Sequence, residues 1–434
     1  MKKVAFHTLG CKVNQYETQA MMEIFKKADY AVVGDLESAD VYVINTCTVT
    51  SMSEKKSRQF IRRAKRQNPD SIIVVVGCYV QVSPEEVSGI EGVNIVIGTN
   101  ERKKIIELID KSQFRDKIVA VDDIMAVKEF EELEINEVKG KTRAFLKIQE
   151  GCNQYCSYCI IPYARGKIRS RKEENIVNEV KRLVKNGVKE IVLTGIHLAS
   201  YGKEQGREDG LVNLLFKLDD VRGLERIRLG SLEPTLFSDE FLSELVKIKK
   251  ICAHFHLSMQ SGCDEILDKM NRKYTSGVYR TTVESIKKAF HNVAITTDII
   301  VGFPGETDDD FKTTYDFVNE MGFSEIHVFK FSPRKGTKAA KFTPQVDGLV
   351  MNKRSEELIK LGKTLQKDYI LKQMDTVTNV LIETKSKQIE GCVEGLTKNY
   401  LNVVIEGNKE IVGEIAKARL VGFVGNKIIG EVEI

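Results

Sequence analysis

The sequence predicts an α/β protein built of three parts: a doubly wound parallel-sheet domain, a partial (β/α)6 barrel and a small all-β barrel. Short β-branched runs alternate with amphipathic helical patterns over residues 1–112, as in a doubly wound sheet. Six more strand–helix units follow over residues 143–374, two fewer than a closed eight-stranded barrel requires. Residues 375–434 hold only strand patterns and glycine turns, which suits a small barrel. A charged segment, residues 113–142, is predicted to link the first two domains.

Composition narrows the class of protein. The 434 residues are 42% hydrophobic and 29% charged, enough to bury the cores of two or three domains. We find no apolar run long enough for a signal peptide or a membrane span, so we expect a cytoplasmic protein with no membrane partner. Thiols stay reduced there, and the nine cysteines therefore indicate metal binding or catalysis rather than a disulfide framework. The net charge of +4 is too small to indicate a nucleic-acid-binding protein by itself.

Three cysteines mark the ends of predicted strands in the first domain. Cys11, Cys47 and Cys78 follow the strand patterns in LGC, NTC and VGC. The C-terminal ends of parallel strands form one rim of a sheet, where such folds bind ligands, so we expect the three thiols to converge. The alternative for each cysteine alone is a small apolar residue that closes a strand.

A second triplet, Cys152, Cys156 and Cys159, follows the first predicted strand of the central domain, FLKIQE. That position lies on the face of a barrel where active sites are found. A structural zinc site needs four protein ligands, usually in two separated pairs, which this loop does not supply. An iron–sulfur cluster is held by thiolates, and an iron without a cysteine can bind a substrate or cofactor. We therefore favour a cluster with one open iron, with zinc as the alternative.

The spacing of Cys152, Cys156, Tyr158 and Cys159 at the end of the first strand of a partial barrel resembles the radical S-adenosylmethionine (SAM) superfamily. The preceding domain with its own cysteine triplet, and the terminal small barrel, called the TRAM domain, make the whole chain similar to the methylthiotransferases of that superfamily. The segments FHTLGCKVNQYET, INTCTVT and KKSRQFIRRA most resemble the branch that modifies N6-threonylcarbamoyladenosine next to the anticodon of tRNA. Other branches act on N6-isopentenyladenosine or on an aspartate of a ribosomal protein.

This resemblance implies two 4Fe-4S clusters and SAM as cofactors. It implies that the cluster on the central triplet reduces SAM to a deoxyadenosyl radical. It also implies that the cluster on Cys11, Cys47 and Cys78 holds the sulfur that a second SAM molecule methylates. A radical is required because the C2–H bond of adenine is beyond the reach of side-chain acids and bases. The implied partners are tRNA, an external electron donor of the flavodoxin or ferredoxin type, and a sulfur source.

Residues after the strands of the central domain are candidates to contact SAM. On the family pattern these are Tyr158, Thr194, Gly195, Ser231 and Glu233. The alternatives are an ordinary strand-end turn at Thr194 and an exposed loop carboxylate at Glu233. His254 and His256 share one face of a predicted strand, and we expect them in an inward polar layer of the barrel.

Two basic segments are candidates for contact with RNA phosphates. A predicted helix in EKKSRQFIRRAKR carries Arg62 on a basic face, for which a solvated helix surface is the alternative. The segment ARGKIRSRK adds Arg165, Arg169 and Arg171 beside the central triplet. The terminal domain has seven Lys and Arg against nine Asp and Glu, so we expect it to hold RNA by shape and stacking, with Tyr400 as a candidate.

A different functional class stays open at this point: an iron–sulfur protein that binds RNA or senses redox state without catalysis. The open position predicted on each cluster, and the position of the central triplet on the barrel face, argue against it. Reductive cleavage of SAM to deoxyadenosine distinguishes the two classes.

Overall fold

The computed structural model describes residues 1–112, 114, 117–137, 141–424 and 427–433. The strands of the first domain are β1 (Lys3–Thr8), β2 (Ala31–Val33), β3 (Val41–Thr46), β4 (Ile72–Gly77), β5 (Ile95–Ile97) and β6 (Ile118–Ala120). All are parallel and lie in the order β2-β1-β3-β4-β5-β6. The helices of this domain are α1 (Lys12–Lys27), α2 (Ser51–Gln67), α3 (Cys78–Val82), α4 (Pro84–Ser88) and α5 (Ile105–Ser112).

Helices cover both faces of this sheet, as the sequence predicts for a doubly wound domain. One face packs around Phe25 and Ile109, and the other around Ile61 and Tyr79. The strands are apolar throughout because a parallel sheet is buried on both sides. Strand β1 lies between β2 and β3, so the order reverses there, and the crevice at the C-terminal ends of β1 and β3 is the usual ligand position.

The predicted linker is part of the packed structure, which corrects the expected end of the first domain. Strand β6 extends the sheet beyond residue 112 by pairing with β5. Leu133 and Ile135 are buried in the core of the second domain. A three-residue strand and a charged segment carry too little hydrophobic pattern to be recognised in the sequence. The predictions for residues 113, 115, 116, 138–140, 425, 426 and 434 lie outside the described residues.

The second domain is an open barrel of six principal parallel strands. Its strands are β7 (Arg143–Glu150), β8 (Arg169–Ser170), β9 (Glu190–Gly195), β10 (Arg226–Leu229), β11 (Ser231–Leu232), β12 (His254–Leu257), β13 (Ala294–Val301) and β14 (Glu325–Lys330). They form two sheets, β10-β9-β7-β8 and β11-β12-β13-β14, and a parallel bridge from Ile227 to Ile251 connects them. In the part of the chain that the structure describes, β14 pairs only with β13, so the barrel is open at that edge.

Helices cover the outside of this barrel and form the largest hydrophobic core with the outward residues of the strands. They are α6 (Ile161–Arg165), α7 (Glu173–Lys185), α8 (Gly210–Asp219), α9 (Asp239–Leu245), α10 (Asp264–Lys269), α11 (Ser276–Ala289), α12 (Asp308–Met321) and α13 (Gly348–Leu371). The last of these packs on β14 and leads into the terminal domain. Over the described ranges, no helix is both long and apolar enough to cross a membrane.

The third domain is a closed five-stranded barrel, as its glycine-punctuated strand pattern predicts. Its strands are β15 (Val377–Lys385), β16 (Cys392–Thr397), β17 (Asn402–Glu406), β18 (Ile415–Val424) and β19 (Lys427–Val432). They close in the order β15-β16-β17-β19-β18 around a core that includes Val380, Val393 and Leu420. Closure removes the sheet edges that an isolated small sheet would expose.

The terminal barrel docks against the N-terminal ends of the central strands. The first and third residues of β10, Arg226 and Arg228, donate hydrogen bonds to backbone carbonyls of the terminal barrel at Asn379, Leu396, Thr397 and Lys398. Arg228 also pairs with the first residue of β9, Glu190, whose carboxylate lies 2.7 Å from the arginine Nε. The negative charge of Glu190 is therefore neutralised within the interface.

Tyr400 of the terminal barrel is part of the same contact. Its ring stacks on His254 with centroids 4.5 Å apart, and the guanidinium of Arg228 lies 4.8 Å from the ring centroid. This placement corrects the prediction that Tyr400 stacks on RNA, because the ring is engaged by the central domain. His254 is buried at the start of β12 and belongs to the inward polar layer that the sequence predicts.

We expect Arg228→Met to destabilise the protein, because it removes the closest cation from Glu190 and leaves carbonyls of the interface without a donor. Loss of one partner of a buried ion pair costs about 3 kcal/mol. The thermal unfolding midpoint should fall by several degrees, whereas Arg222→Met, at an exposed position, should leave it unchanged. Equal midpoints for the two variants would show that the interface does not depend on this arginine.

Candidate active site between the first two domains

The first cysteine triplet lies on one rim of the N-terminal sheet, as predicted. Cys11 precedes α1 directly after β1, Cys47 follows β3, and Cys78 begins α3 after β4. Gly10 allows the loop after β1 to approach the loop after β3. Its φ of 107° suits glycine, and an added Cβ would lie 2.9 Å from Cys47 Cβ. Cys11 is exposed, while Cys47 and Cys78 are buried.

The second triplet lies on the loop between β7 and α6. Gly151 turns the chain out of β7 at a φ of 72°, where an added Cβ would meet the carbonyl oxygen of Lys167 at 1.9 Å. Two donors already point at the thiols: the backbone N–H of Gln154, 3.4 Å from Cys152 Sγ, and Arg272 Nη1, 3.3 Å from Cys156 Sγ. The loop therefore has groups that stabilise thiolates.

The donor chemistry of both triplets fits iron–sulfur clusters. Among the described residues, the three sulfur atoms of neither triplet all lie within 4.8 Å of one another, whereas a tetrahedral zinc–thiolate site has edges of about 3.8 Å. Burial raises the pKa of Cys152 to about 11 and the pKa of Cys78 and Cys159 to about 12. Cluster binding must therefore displace protons from these thiols, and the nearby cationic donors favour that loss.

A cavity of about 240 Å³ lies between the domains, and Cys159 of the second triplet lines it. The first domain contributes Val49 and Thr50, which follow Cys47 closely. The second contributes the segment 158–161, which contains Cys159, and side chains at the ends of β13 and β14 such as Ile300 and Phe329. Its walls are largely apolar, so a ligand there is shielded from water except at the mouth.

A buried network of charges joins the two halves of this site. Arg165, at the end of α6, places Nε 3.1 Å from Cys78 Sγ and Nη1 2.5 Å from Glu17 Oε1 of α1. Glu17 also contacts Arg102 at 2.6 Å and Lys147 of β7 at 2.8 Å. Burial alone would raise the pKa of Glu17, but the adjacent Arg102, Arg165 and Lys147 outweigh it and hold that pKa well below its ordinary value.

The burial of three arginines corrects the prediction that they contact RNA. Arg165, Arg169 and Arg171 are at most 4% exposed. Arg165 belongs to the charge network, Arg169 donates to the carbonyl oxygen of Arg165, and Arg171 pairs with Glu179 at 2.6 Å. The acidic partners of Arg165 and Arg171 come from outside this segment, so the local basic pattern ARGKIRSRK gives no indication of these ion pairs.

Glu233 lies beside the central triplet, as expected for a residue that contacts SAM. Its carboxylate is 2.9 Å from His197 Nε2, 3.0 Å from Arg272 Nη2 and 3.2 Å from Gln154 Nε2. Burial opposes ionisation, but the hydrogen bond and charge of His197 and the charge of Arg272 lower the pKa of Glu233. The alternative that Glu233 is an exposed loop carboxylate is therefore wrong.

The other SAM candidates lie around the same end of the barrel. Thr194 is buried, Gly195 is half-buried at the end of β9, and Ser231 is exposed. Tyr158 is half-buried and lines the interdomain cavity. Their contact with SAM stays a prediction.

Sequence reasoning missed several residues of the site. Glu17 had a usable signal, because it falls within the helical stripe of buried residues Val13, Tyr16, Ala20 and Met21, where an unpaired acid is unfavourable. Arg272 and His197 follow no periodic pattern that distinguishes them from surface residues. Only the folding of the barrel brings them to Cys156 and Glu233.

The predicted basic helix, α2, leads directly away from the cavity. Thr50, a cavity residue, caps its N-terminus by accepting a hydrogen bond from the Ser53 backbone N–H. Its exposed cations are Lys55, Lys56, Arg62, Arg63 and Arg66. The helix therefore presents a row of exposed positive charges that begins near the cavity.

Two family models match the chain: "Uncharacterized protein family UPF0004" over residues 3–98 and "Radical SAM superfamily" over residues 146–318. The threonylcarbamoyladenosine tRNA methylthiotransferase MtaB of Bacillus subtilis (strain 168) is 46% identical over 97% of this chain and 94% of that protein. The MtaB protein of Thermotoga maritima is 35% identical over 97% and 94% of the two chains. The tRNA-2-methylthio-N(6)-dimethylallyladenosine synthase of Finegoldia magna is 34% identical over 98% and 93%.

Solved structures resemble the fold at low sequence identity. The radical S-adenosylmethionine methyltransferase TsrM from Kitasatospora setae has a TM-score of 0.56 at 15% identity, over 76% of this chain and 73% of that chain. The cobalamin-dependent S-adenosylmethionine radical enzyme OxsB has a TM-score of 0.53 at 11% identity, over 85% and 56%. At these identities the likeness concerns the fold alone.

We expect Glu17→Gln to lower stability at neutral pH, because it leaves Arg102, Lys147 and Arg165 with one anion fewer in a buried site. The pKa of Glu17 is depressed in the folded state, so its contribution is present above its ordinary value of 4.5 and is lost as the pH falls. Below about pH 4.5 the wild type should therefore lose stability more steeply than the variant, by about 1.4 kcal/mol per pH unit for the one proton.

Unfolding midpoints of both proteins at several pH values test this expectation. Glu174→Gln, at an exposed helix position, is the matched control and should follow the wild type. Parallel acid profiles of Glu17→Gln and wild type would mean that Glu17 does not anchor the network.

Proposed function

Because the chain belongs to the methylthiotransferase family of radical SAM proteins, we propose that it adds a methylthio group at C2 of N6-threonylcarbamoyladenosine next to the anticodon of tRNA. The observation that carries this proposal is an interdomain cavity lined by Cys159 of one triplet and by Val49 and Thr50, which follow Cys47 of the other triplet. One triplet suits radical generation and the other suits sulfur delivery, and both reactions must occur at a single base. The relatives with 46% and 35% identity that bear the MtaB name support this choice of nucleoside.

The cofactors of the family are SAM and two 4Fe-4S clusters, and the donor sets of both triplets fit them. We assign Cys152, Cys156 and Cys159 to the cluster that binds SAM, and Cys11, Cys47 and Cys78 to the second cluster. When bound, these groups supply one-electron cleavage of SAM and the sulfur for transfer. An external electron donor of the flavodoxin or ferredoxin type and a sulfur source complete the proposal.

The side chains of the protein orient and shield this chemistry. Arg272 links the two sides of the SAM site, because it donates to Cys156 Sγ and pairs with Glu233. Arg165 donates to Cys78 from the domain that carries the other triplet, so the two cysteine loops keep a fixed separation. The apolar walls of the cavity, including Ile300, limit the access of water that would quench a reactive intermediate.

We place the RNA along the first domain. Exposed cations of α2, Arg62 among them, extend from the cavity mouth and suit phosphates on either side of an inserted base. The barrel is open at β14, where Phe329 is 47% exposed, so an extruded base has room to enter. Its tRNA substrate means that the protein would act in the cytoplasm.

A second nucleoside substrate has support from the comparisons. Relatives at 34% and 36% identity are named tRNA-2-methylthio-N(6)-dimethylallyladenosine synthases. The chemistry at C2 would be the same, and only the N6 substituent would differ. The higher identity to MtaB proteins is the reason for choosing the threonylcarbamoyl substrate.

Nucleoside analysis of tRNA from a deletion strain tests the proposal. Complementation with the wild-type chain should restore 2-methylthio-N6-threonylcarbamoyladenosine.

Alanine at Cys152, Cys156 and Cys159 should leave about half of the iron in the purified protein and abolish deoxyadenosine formation. Alanine at Cys11, Cys47 and Cys78 should preserve deoxyadenosine formation but stop sulfur insertion. Full product from this second variant, or product on dimethylallyladenosine instead, would contradict the assignment.

Replacement of Arg62 tests the RNA path. We expect Arg62→Ala to weaken tRNA binding about equally for all tRNA sequences, and to reduce the slope of log affinity against log salt by about 1, because one phosphate contact is lost. Arg222→Ala, at an exposed position of the central domain, is the matched control. An unchanged salt slope for Arg62→Ala would remove α2 from the interface.

A further inference from the structure

We propose that His256, Asp298 and His327, together with Lys12, form a subsite that binds the carboxylate and hydroxyl groups of the threonylcarbamoyl substituent. The inference rests on the proposed function and deepens it, because it assigns residues that select this nucleoside. His256, Asp298 and His327 are separate from the cysteine loops and from the buried charge network, whereas Lys12 directly follows Cys11.

The first three side chains form one polar patch on adjacent parallel strands, β12, β13 and β14. A ring nitrogen from each histidine and a carboxylate oxygen of Asp298 all lie within 4.8 Å of one another. His256 Nε2 is 3.2 Å from Asp298 Oδ2, and its Nδ1 is 3.0 Å from the hydroxyl of Thr296. The rings of His256 and His327 stack with centroids 6.0 Å apart. His256 is therefore held in place by its neighbours.

The patch continues the interdomain cavity into the barrel. Asp298 itself lines the cavity, and so does Phe329, which lies two residues beyond His327 on the same face of β14. The patch therefore lies deeper in the barrel than the apolar walls of the cavity, and it is farther from Cys159 than those walls are. In adenine, C2 and C6 flank N1, so a base that presents C2 to the cysteine loops directs its N6 substituent away from them. The N6 substituent would then reach the patch.

The patch has unused hydrogen-bonding capacity. Within the described ranges, His327 has no hydrogen bond or ion pair to a protein group, and it is exposed to the opening of the barrel. The carboxylate of Asp298 contacts His256 through Oδ2. Its other oxygen can therefore accept a hydrogen bond from a ligand.

Lys12 adds a cation from the first domain. It follows Cys11 at the start of α1 and is half-buried, and among the described residues no carboxylate oxygen lies within 4.0 Å of its amino group. Asp298 of the patch is among the groups whose charges act on its amine, so Lys12 lies near the patch. An unpaired cation in this position suits an anionic ligand.

The chemistry of the substituent matches these groups. The threonylcarbamoyl group carries a carboxylate, a hydroxyl and urea N–H groups, whereas a dimethylallyl group offers none of them. His327 and Lys12 can donate to the carboxylate, and Asp298 can accept from the hydroxyl or from a urea N–H. A site that pairs its own polar groups with those of the substrate rejects analogues that lack them.

Anticodon stem-loop RNAs provide the test. One carries N6-threonylcarbamoyladenosine, and a second carries the analogue in which the threonyl carboxylate is a neutral carboxamide. Reconstituted wild-type enzyme should prefer the carboxylate by about 10- to 100-fold in kcat/KM. His327→Leu and Lys12→Met should each lose about 10-fold on the carboxylate RNA and much less on the carboxamide RNA, so the preference shrinks. Lys12→Arg should retain part of it because the charge is kept.

The controls separate this subsite from other effects. His291→Leu, at an exposed histidine outside the barrel, should keep the full preference. Iron content, and SAM cleavage measured without RNA, identify any variant that has lost a cluster. This control is needed for the Lys12 variants because Lys12 is next to Cys11. Equal losses on both RNAs would overturn the subsite. So would one equivalent of zinc or manganese that copurifies with the wild type and is lost in His327→Leu, because the patch would then be a metal site.

Failure of the subsite differs from failure of the proposed function. A wild-type enzyme that does not modify the threonylcarbamoyl RNA refutes the assignment of the nucleoside. An enzyme that modifies it but treats carboxylate and carboxamide alike refutes only the subsite.

Discussion

The ion pairs between Glu17 of α1 and the cations Arg102, Lys147 and Arg165 are the contact on which the site depends. Glu17 pairs with Arg102 within the first domain and also with Lys147 and Arg165 of the second. Those two cations share one anion of their own domain, Glu150, so Glu17 supplies the second negative charge across the boundary. Buried ion pairs add little net stability compared with apolar packing, but they tolerate few alternative arrangements. The network therefore specifies how the two cysteine loops face each other, and the bond from Arg165 to Cys78 extends that control to a cluster ligand.

The cavity beside the cysteine loops has an apolar part and a polar part. Near Cys159 its walls are apolar, which suits a reaction that water would divert. Deeper in the barrel the inward residues are polar, with His256, Asp298 and His327 in contact range of one another. An open barrel makes this division possible, because a closed eight-stranded barrel fills its interior with packed side chains. The same interior can thus shield a base and bind a polar substituent.

The terminal barrel has a structural role at the other end of the central domain. Its carbonyl groups accept hydrogen bonds from Arg226 and Arg228, and Tyr400 covers His254. Removal of this domain would expose the buried side chains of Arg226 and Arg228. The basic helix α2 begins at the cavity instead, because its N-terminal cap, Thr50, is a cavity residue.

The sequence by itself determined the fold class, the two cysteine triplets and the cofactor chemistry, because strand periodicity, strand ends and ligand spacing are local properties of the chain. It also identified Glu233 beside the central triplet from its position after a strand. Only the tertiary structure decided which charges face solvent: Arg165, Arg169 and Arg171 form a basic pattern in the sequence but are buried. Arg165 pairs with Glu17, Arg171 pairs with Glu179, and Arg169 donates to the carbonyl oxygen of Arg165. The stacking of Tyr400 on His254 in a domain interface has the same cause. A side chain's partners are set by contacts between separate segments of the chain, and periodicity within one segment carries no information about them.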